Sequence, residues 1–337
     1  ASDVYKRQLL FLLFDKLLMP VKELVFLVTT SEKGSYFHHA ERLSNYLKNY
    51  GIKSIIIPQA LTENSQDLTH KTVIVYSTFQ ALPIILKRYT LNKEKTVFFQ
   101  DTALVTLNAK FICDKVSEGW KIFSSSLFDT ELLSHYCKIP YIPHFLSFPP
   151  TNTPYIERQY DFLTVGINET DFDRKGHYWN RIAQLIGFKT VDVCMFTCFG
   201  QHKENIPDEE LDKLYSTTKW YLAMSHAETP HLPLLEAFAH STPAVILDGH
   251  EFHLINNHLK NEYEISLPSV SISNVTVKGK KNFLFYEVNP ESFIKTLGDV
   301  SKIPQEEWQL LSDSVRKYYE KTYYVRNRHK ELNQLLD

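Results

Sequence analysis

The chain has 337 residues, 43% of them hydrophobic, 23% charged and 13% aromatic, with a formal net charge of −2. That length exceeds one ordinary domain and fits two. The near-neutral charge provides no global drive toward nucleic acid or an anionic membrane, so no nucleic-acid partner is expected, and no low-complexity tract suggests a disordered chain.

The hexapeptide DVYKRQ at residues 3–8 reads as the translated end of a sequencing adapter, so residues 1–18 are expected to be a read-through segment, with Met19 the expected start. From there strands and helices alternate. KELVFLVTT, IKSIIIPQ, TVIVYST, TVFFQDT and WKIFSSS read as short apolar strands, and the stretches beginning at Ser31, Phe79 and Leu127 read as helices or loops running into helices. FPPTNTPYIERQ, residues 148–159, is a proline-rich polar break of the kind that separates domains. The alternation then restarts with YDFLTVGI, a helix over HYWNRIAQLIG, strand FKTVDVCMFTCFG, a helix over DEELDKLYSTT, strand KWYLAMS, helix LPLLEAFAHS and strand PAVILD.

Strands alternating with helices imply an α/β fold with parallel sheets covered on both faces. Two doubly wound, Rossmann-like domains are expected, at residues 19–147 and 160–303, joined by the 148–159 linker, with C-terminal helices over residues 304–337 packing back across them. Ligands of such sheets bind at the carboxyl ends of the strands, so a cleft between the domains is the expected site. Cys113, Cys137, Cys194 and Cys198 have no C-x-x-C spacing; Cys194 and Cys198 read as buried free thiols, which suits a reducing, cytoplasmic compartment.

Residues 225–248, SHAETPHLPLLEAFAHSTPAVILD, place Glu228 directly after a strand and Glu236 one turn into a helix signalled by Pro233. The helix N-terminus offers free N–H groups and a positive dipole end suited to a diphosphate. Two carboxylates beside it are suited to sugar and ribose hydroxyls, which they bind by charge-assisted hydrogen bonds. The pattern reads as a nucleotide-sugar site.

The spacing of Glu228 and Glu236, with LPLLEA and the following TP, resembles the E-x7-E signature of the family-4 retaining glycosyltransferases, which have the GT-B architecture of two facing Rossmann-like domains. The likeness extends to Gly34 in the loop after the first strand, to a VG…KG segment (Val165, Gly166, Lys175, Gly176), and to Leu214-Tyr215 before the strand leading to the motif. The resemblance implies transfer of a sugar from a UDP- or GDP-linked donor, without metal or other cofactor, to a glycan, lipid or protein acceptor. It implies that Glu228 contacts the sugar, Glu236 the ribose, and Lys175 the diphosphate, with Asp101 at the reaction centre and Arg174, Gly34, His231, Leu235 and Gly166 around the donor.

This chain departs from that pattern at Thr229-Pro230-His231, where relatives have a glycine-rich loop; at Ile167, where relatives carry arginine; and at Gln100-Asp101, in place of a His-Asp pair. A catalytically silent GT-B protein binding a nucleotide sugar or a partner is the alternative. The plain alternatives for single residues are a solvated surface glutamate at 236, ordinary loop side chains at 174, 175 and 231, and helix capping at 101. Asp171-Phe172-Asp173 spells a D-x-D metal motif but reads as loop. The aromatic-basic stretch 315–330 is expected to pack on the protein, with peripheral membrane contact as its alternative.

Overall fold

The computed structural model describes residues 23–30, 35–101, 109–167, 173–195, 206–227, 231–278 and 283–336. Of these, the residues up to 101, 109–147 and 324–336 form one compact unit and those within 148–323 the other.

The first unit contains β1 (Glu23–Val28), α1 (Ser35–Lys48), β2 (Lys53–Ile57), β3 (Gln66–Asp67), β4 (Thr72–Thr78), α2 (Leu82–Arg88), β5 (Tyr89–Thr90), β6 (Thr96–Asp101), α3 (Ala109–Ser117), β7 (Lys121–Ser124) and α4 (Leu127–Ser134). Its sheet runs β2-β1-β4-β6-β7, all parallel. Side chains alternate across a strand, so each apolar run feeds two cores. Val25, Leu27, Val73, Val75 and Phe98 pack on one face with Leu82, Ile85 and Ile112. Leu24, Phe26, Ile74, Tyr76, Val97 and Phe99 pack on the other with Ala40, Leu43 and Leu47 of α1 and with Val325, Leu332 and Leu336 of the C-terminal helix.

The second unit contains β8 (Tyr160–Ile167), α5 (His177–Leu185), β9 (Thr190–Met195), α6 (Asp208–Thr217), β10 (Thr218–Ala223), α7 (Leu232–Ala239), β11 (Ala244–Leu247), α8 (His250–Tyr263), β12 (Ser269–Val270), the hairpin β13 (Ile272–Lys278) and β14 (Phe283–Val288), α9 (Pro290–Val300) and α10 (Gln305–Thr322). Its parallel sheet runs β12-β11-β10-β8-β9. The chain leaves β8 toward β9 on one side and then returns to β10 on the other. The crevice outside the carboxyl ends of β8 and β10 is therefore the topological switch point, where such sheets take ligands.

The segment expected as a linker belongs to the second unit, bolted there by Arg158. Its buried guanidinium donates to the carbonyl oxygens of Tyr215 (3.2 Å), Thr218 (2.5 Å), His240 (3.1 Å) and Ser241 (3.0 Å) and lies over the Trp308 ring. These carbonyls end α6 and α7, so one side chain caps both helices. Burial lowers its pKa to about 9. Of the aromatic residues in the stretch 315–330, Tyr318, Tyr319 and Tyr323 are buried in the second unit, whereas α11 (Val325–Leu336) joins the first. These tyrosine rings are core and do not present an aromatic face to a membrane.

The cysteine expectation is corrected. Cys113 on α3 is disulfide-bonded to Cys137 just beyond α4, with Cα atoms 5.7 Å apart. Cys194 is buried as expected but is also disulfide-bonded, its partner lying outside the described residues. Spacing conceals the first pair because only the fold brings α3 and the end of α4 together, across 24 residues of sequence. The reducing compartment loses its basis in the cysteines.

Candidate donor-binding site

Two glycines shape the switch point. Gly166, near the end of β8, lies under Lys175: a Cβ added there would stand 2.9 Å from Lys175 Cγ. The lysine stem thus crosses the carboxyl end of the strand. Gly176 has φ +78°, and a Cβ on it would stand 2.2 Å from the Met224 carbonyl oxygen, so the loop before α5 presses its backbone directly on the end of β10. The Arg174 carbonyl accepts from the His226 N–H (2.7 Å) and the Ser225 hydroxyl (3.1 Å), closing this junction. Asp173 turns its carboxylate to the start of α5, accepting from the N–H groups of His177 (3.0 Å) and Tyr178 (2.6 Å). That is a helix cap in a place where the sequence spells half of D-x-D. Asp171 lies outside the described residues.

Arg174 and Lys175, both half-buried, share their surroundings with His231, which precedes α7. His231 is 2% exposed, packed near Tyr221 (5.7 Å between ring centroids) and edge-on to Phe252 (5.2 Å). Burial holds its pKa well below the usual histidine range, and the charges of Lys175, Arg174 and His177 add to the effect. A neutral imidazole thus sits within the field of two cations at the N-terminal end of a helix. This surplus of positive potential is suited to an anion.

One turn into α7, the half-buried Glu236 accepts a hydrogen bond from the Tyr215 hydroxyl at 2.9 Å. Its charge helps burial raise the pKa of Tyr221, whose hydroxyl donates to the Val165 carbonyl at 3.2 Å. The carboxylate therefore belongs to the same strand ends as Lys175. Leu235, expected beside the donor, is instead 1% exposed: the apolar face of α7 that buries Leu234 and Phe238 buries it too, and its side chain is core.

Gly34 and Glu228 lie outside the described residues, as do Thr229 and Pro230. Asp101 ends β6 in the first unit, paired in register with Thr78, and its side chain is outside the described set. Gln100 beside it is fully buried, accepting from Ser77 Oγ (2.8 Å) and donating to the Phe99 carbonyl (3.1 Å). It is a satisfied core amide.

Motif reasoning missed the support beneath the loop that leads to Glu228. The His226 ring stacks on Phe285 of β14 (4.3 Å), and its Nδ1 donates to the Tyr286 carbonyl (2.6 Å). The His226 carbonyl accepts from the Tyr286 N–H (2.9 Å) and from His250 Nε2 (2.7 Å). The β13–β14 hairpin so pins the exit of β10. Five histidines clustered in residues 225–253 were the available signal, but no spacing rule pairs them with the hairpin. No group of three or more His, Cys, Asp or Glu residues with metal-binding geometry occurs among the described residues.

No family model matches this chain. It is 42% identical over 327 residues to ORF315 of Acidianus bottle-shaped virus (isolate Italy/Pozzuoli), provisionally named a glycosyltransferase, covering 93% of this chain and 98% of that relative. Among solved structures it is similar to the sucrose-phosphate synthase tll1590 of Thermosynechococcus elongatus, with a TM-score of 0.61 and 10% identity over 93% of this chain and 98% of that one. It is also similar to Anabaena Alr3699/HepE in complex with UDP and glucose, with a TM-score of 0.58 and 10% identity over 94% and 99%. An α-glucosyltransferase solved with UDP and a 13-mer DNA is another fold neighbour, with a TM-score of 0.53 and 11% identity over 94% of this chain and 99% of that one. The expectation against nucleic acid rests on net charge alone. The two doubly wound units have the GT-B fold, and the chain belongs to the glycosyltransferase family that includes ORF315.

Proposed function

We propose that this glycosyltransferase moves a sugar from a nucleoside-diphosphate donor, UDP- or GDP-linked, to its acceptor with retention of anomeric configuration. The observation that carries the reading is the convergence of Lys175, Arg174, the start of α7 and the Glu236 carboxylate on the switch point of the second sheet. The donor diphosphate takes the place beside Lys175 and Arg174, Glu236 holds the ribose diol, and Glu228 holds the sugar. Charge develops on the departing diphosphate, and the two cations with the helix N-terminus stabilise it. In this reading they supply the neutralisation a divalent metal gives elsewhere, so EDTA is expected to leave turnover unchanged. A panel of UDP- and GDP-sugars, assayed for nucleotide release and for the anomer formed, tests the proposal.

A silent binding protein is the second reading, favoured by Gln100, whose side chain is committed to Ser77 within the first sheet. Nucleotide binding without release from any donor is its signature. A glycan, lipid or protein acceptor and a cytoplasmic setting belong to the same proposal. Among the described residues no helix is long and apolar enough to cross a membrane.

A further inference from the structure

Helices α6 and α7 meet through two short stripes of polar side chains. Asp212, Tyr215 and Ser216 recur at i, i+3 and i+4 on α6, so they share a face; Glu236 and His240, four apart, share a face at the end of α7. Across the junction the Tyr215 hydroxyl donates to Glu236 Oε2 at 2.9 Å, while its ring lies parallel to the His240 imidazole, 8° between planes and 5.6 Å between centroids. His240 is 4% exposed and is held at both nitrogens. Nε2 meets Asp212 Oδ1 at 3.2 Å, and Nδ1 meets Thr151 Oγ1 at 3.0 Å and Ser216 Oγ at 3.2 Å. A carboxylate only accepts, so Nε2 carries a proton and donates to Asp212. Thr151 also donates its N–H to the Ala239 carbonyl at 2.8 Å, fixing the end of α7 from the same side.

We infer that Tyr215, His240 and Asp212 are positioning residues that hold Glu236 in the orientation needed for the ribose, an inference that rests on the donor-site reading above. Asp212 and the two hydroxyls fix the plane of His240. The stacked imidazole fixes the tilt of the Tyr215 ring, and the phenol fixes one oxygen of Glu236 by a charge-assisted bond. A carboxylate held this way loses less rotamer freedom when two vicinal hydroxyls bind it, so its geometry contributes to affinity. None of the three positioning side chains is asked to touch the substrate.

The test is the affinity for UDP and GDP, by isothermal titration, in the full chain and in Tyr215→Phe, Glu236→Gln, the double variant, His240→Ala, Asp212→Asn and Asp212→Ala, each with its melting temperature. Tyr215→Phe keeps the ring in the core and is expected to weaken the bound nucleotide about tenfold. Added to Glu236→Gln it is expected to cost nothing further, because both act through one carboxylate. His240→Ala is expected to follow Tyr215→Phe. Asp212→Asn, which still accepts from Nε2, is expected to retain more affinity than Asp212→Ala. A Tyr215→Phe loss that persists undiminished beside Glu236→Gln overturns the inference, as does wild-type affinity in Tyr215→Phe when Glu236→Gln is weakened. Unchanged affinity in Glu236→Gln overturns the ribose reading itself, a separate result.

Discussion

The stem of Lys175 runs over Gly166 so closely that a methyl group there would stand 2.9 Å from its Cγ, and this contact sets where the ammonium reaches. Gly166→Ala is expected to fold, since a flexible side chain can yield, but to displace Lys175 and weaken nucleoside diphosphate several-fold. Gly176→Ala is a contrast. It places a Cβ 2.2 Å from a backbone oxygen at φ +78°, so its expected outcome is a large fall in melting temperature. Titration calorimetry and thermal melts on the two variants check this pair.

Glu236 and Glu228 are predicted to fail differently. Glu236→Gln removes an interaction with the unchanging ribose and is expected to raise KM and the dissociation constant of the free diphosphate together. Glu228→Gln acts on the sugar as charge develops and is expected to lower kcat while leaving diphosphate affinity near wild type. Losing a charged hydrogen bond costs about 1.5–3 kcal/mol, or roughly ten- to a hundredfold. Reversed effects would exchange the two assignments.

Acid sensitivity follows from the buried histidines. Burial lowers the pKa of His250 to about 3, against the hydrogen bond to the His226 carbonyl, which raises it, and holds His39 and His231 well below their ordinary range. The unfolded chain takes up these protons below about pH 6.5. From there down to the folded pKa the unfolded state binds more protons, so stability falls with falling pH through that window and is unaffected above it. Each unit of depression is worth about 1.4 kcal/mol. His250→Gln, which keeps a donor for the His226 carbonyl but does not titrate, is expected to flatten the loss between about pH 6.5 and pH 3 in denaturant melts.

Breaking the Cys113–Cys137 bond with paired alanines is expected to cost about 3.5 kcal/mol, the loop-closure value for a cross-link across 24 residues. Urea melts of the variant measure it, and an unchanged midpoint would show the bond to be unformed in solution.

Nine of the ten strands of the two five-stranded sheets, all but β12, were legible because each is a short apolar run bounded by loop residues; TVIVYST and YDFLTVGI coincide with β4 and β8 residue for residue. The helix bearing Glu236 was legible from Pro233 and its apolar face. The burial of the Leu235 side chain was not legible, because the motif carries the residue and nothing in spacing tells a core leucine from a lining one. Arg158 was hidden in a proline-rich segment that reads as linker, since capping by a distant guanidinium leaves no local pattern. His226, His250 and the β13–β14 hairpin are joined by backbone carbonyls, which any sequence supplies.

Release of UDP or GDP from a panel of nucleotide sugars, by the wild type and by Lys175→Ala, tests the account most directly. At least one donor is expected to release its diphosphate, and Lys175→Ala is expected to lower kcat on that donor by about a hundredfold or more, the scale for removing a group that stabilises developing charge. Tight diphosphate binding with no release from any donor, or a Lys175→Ala rate equal to wild type, would contradict it.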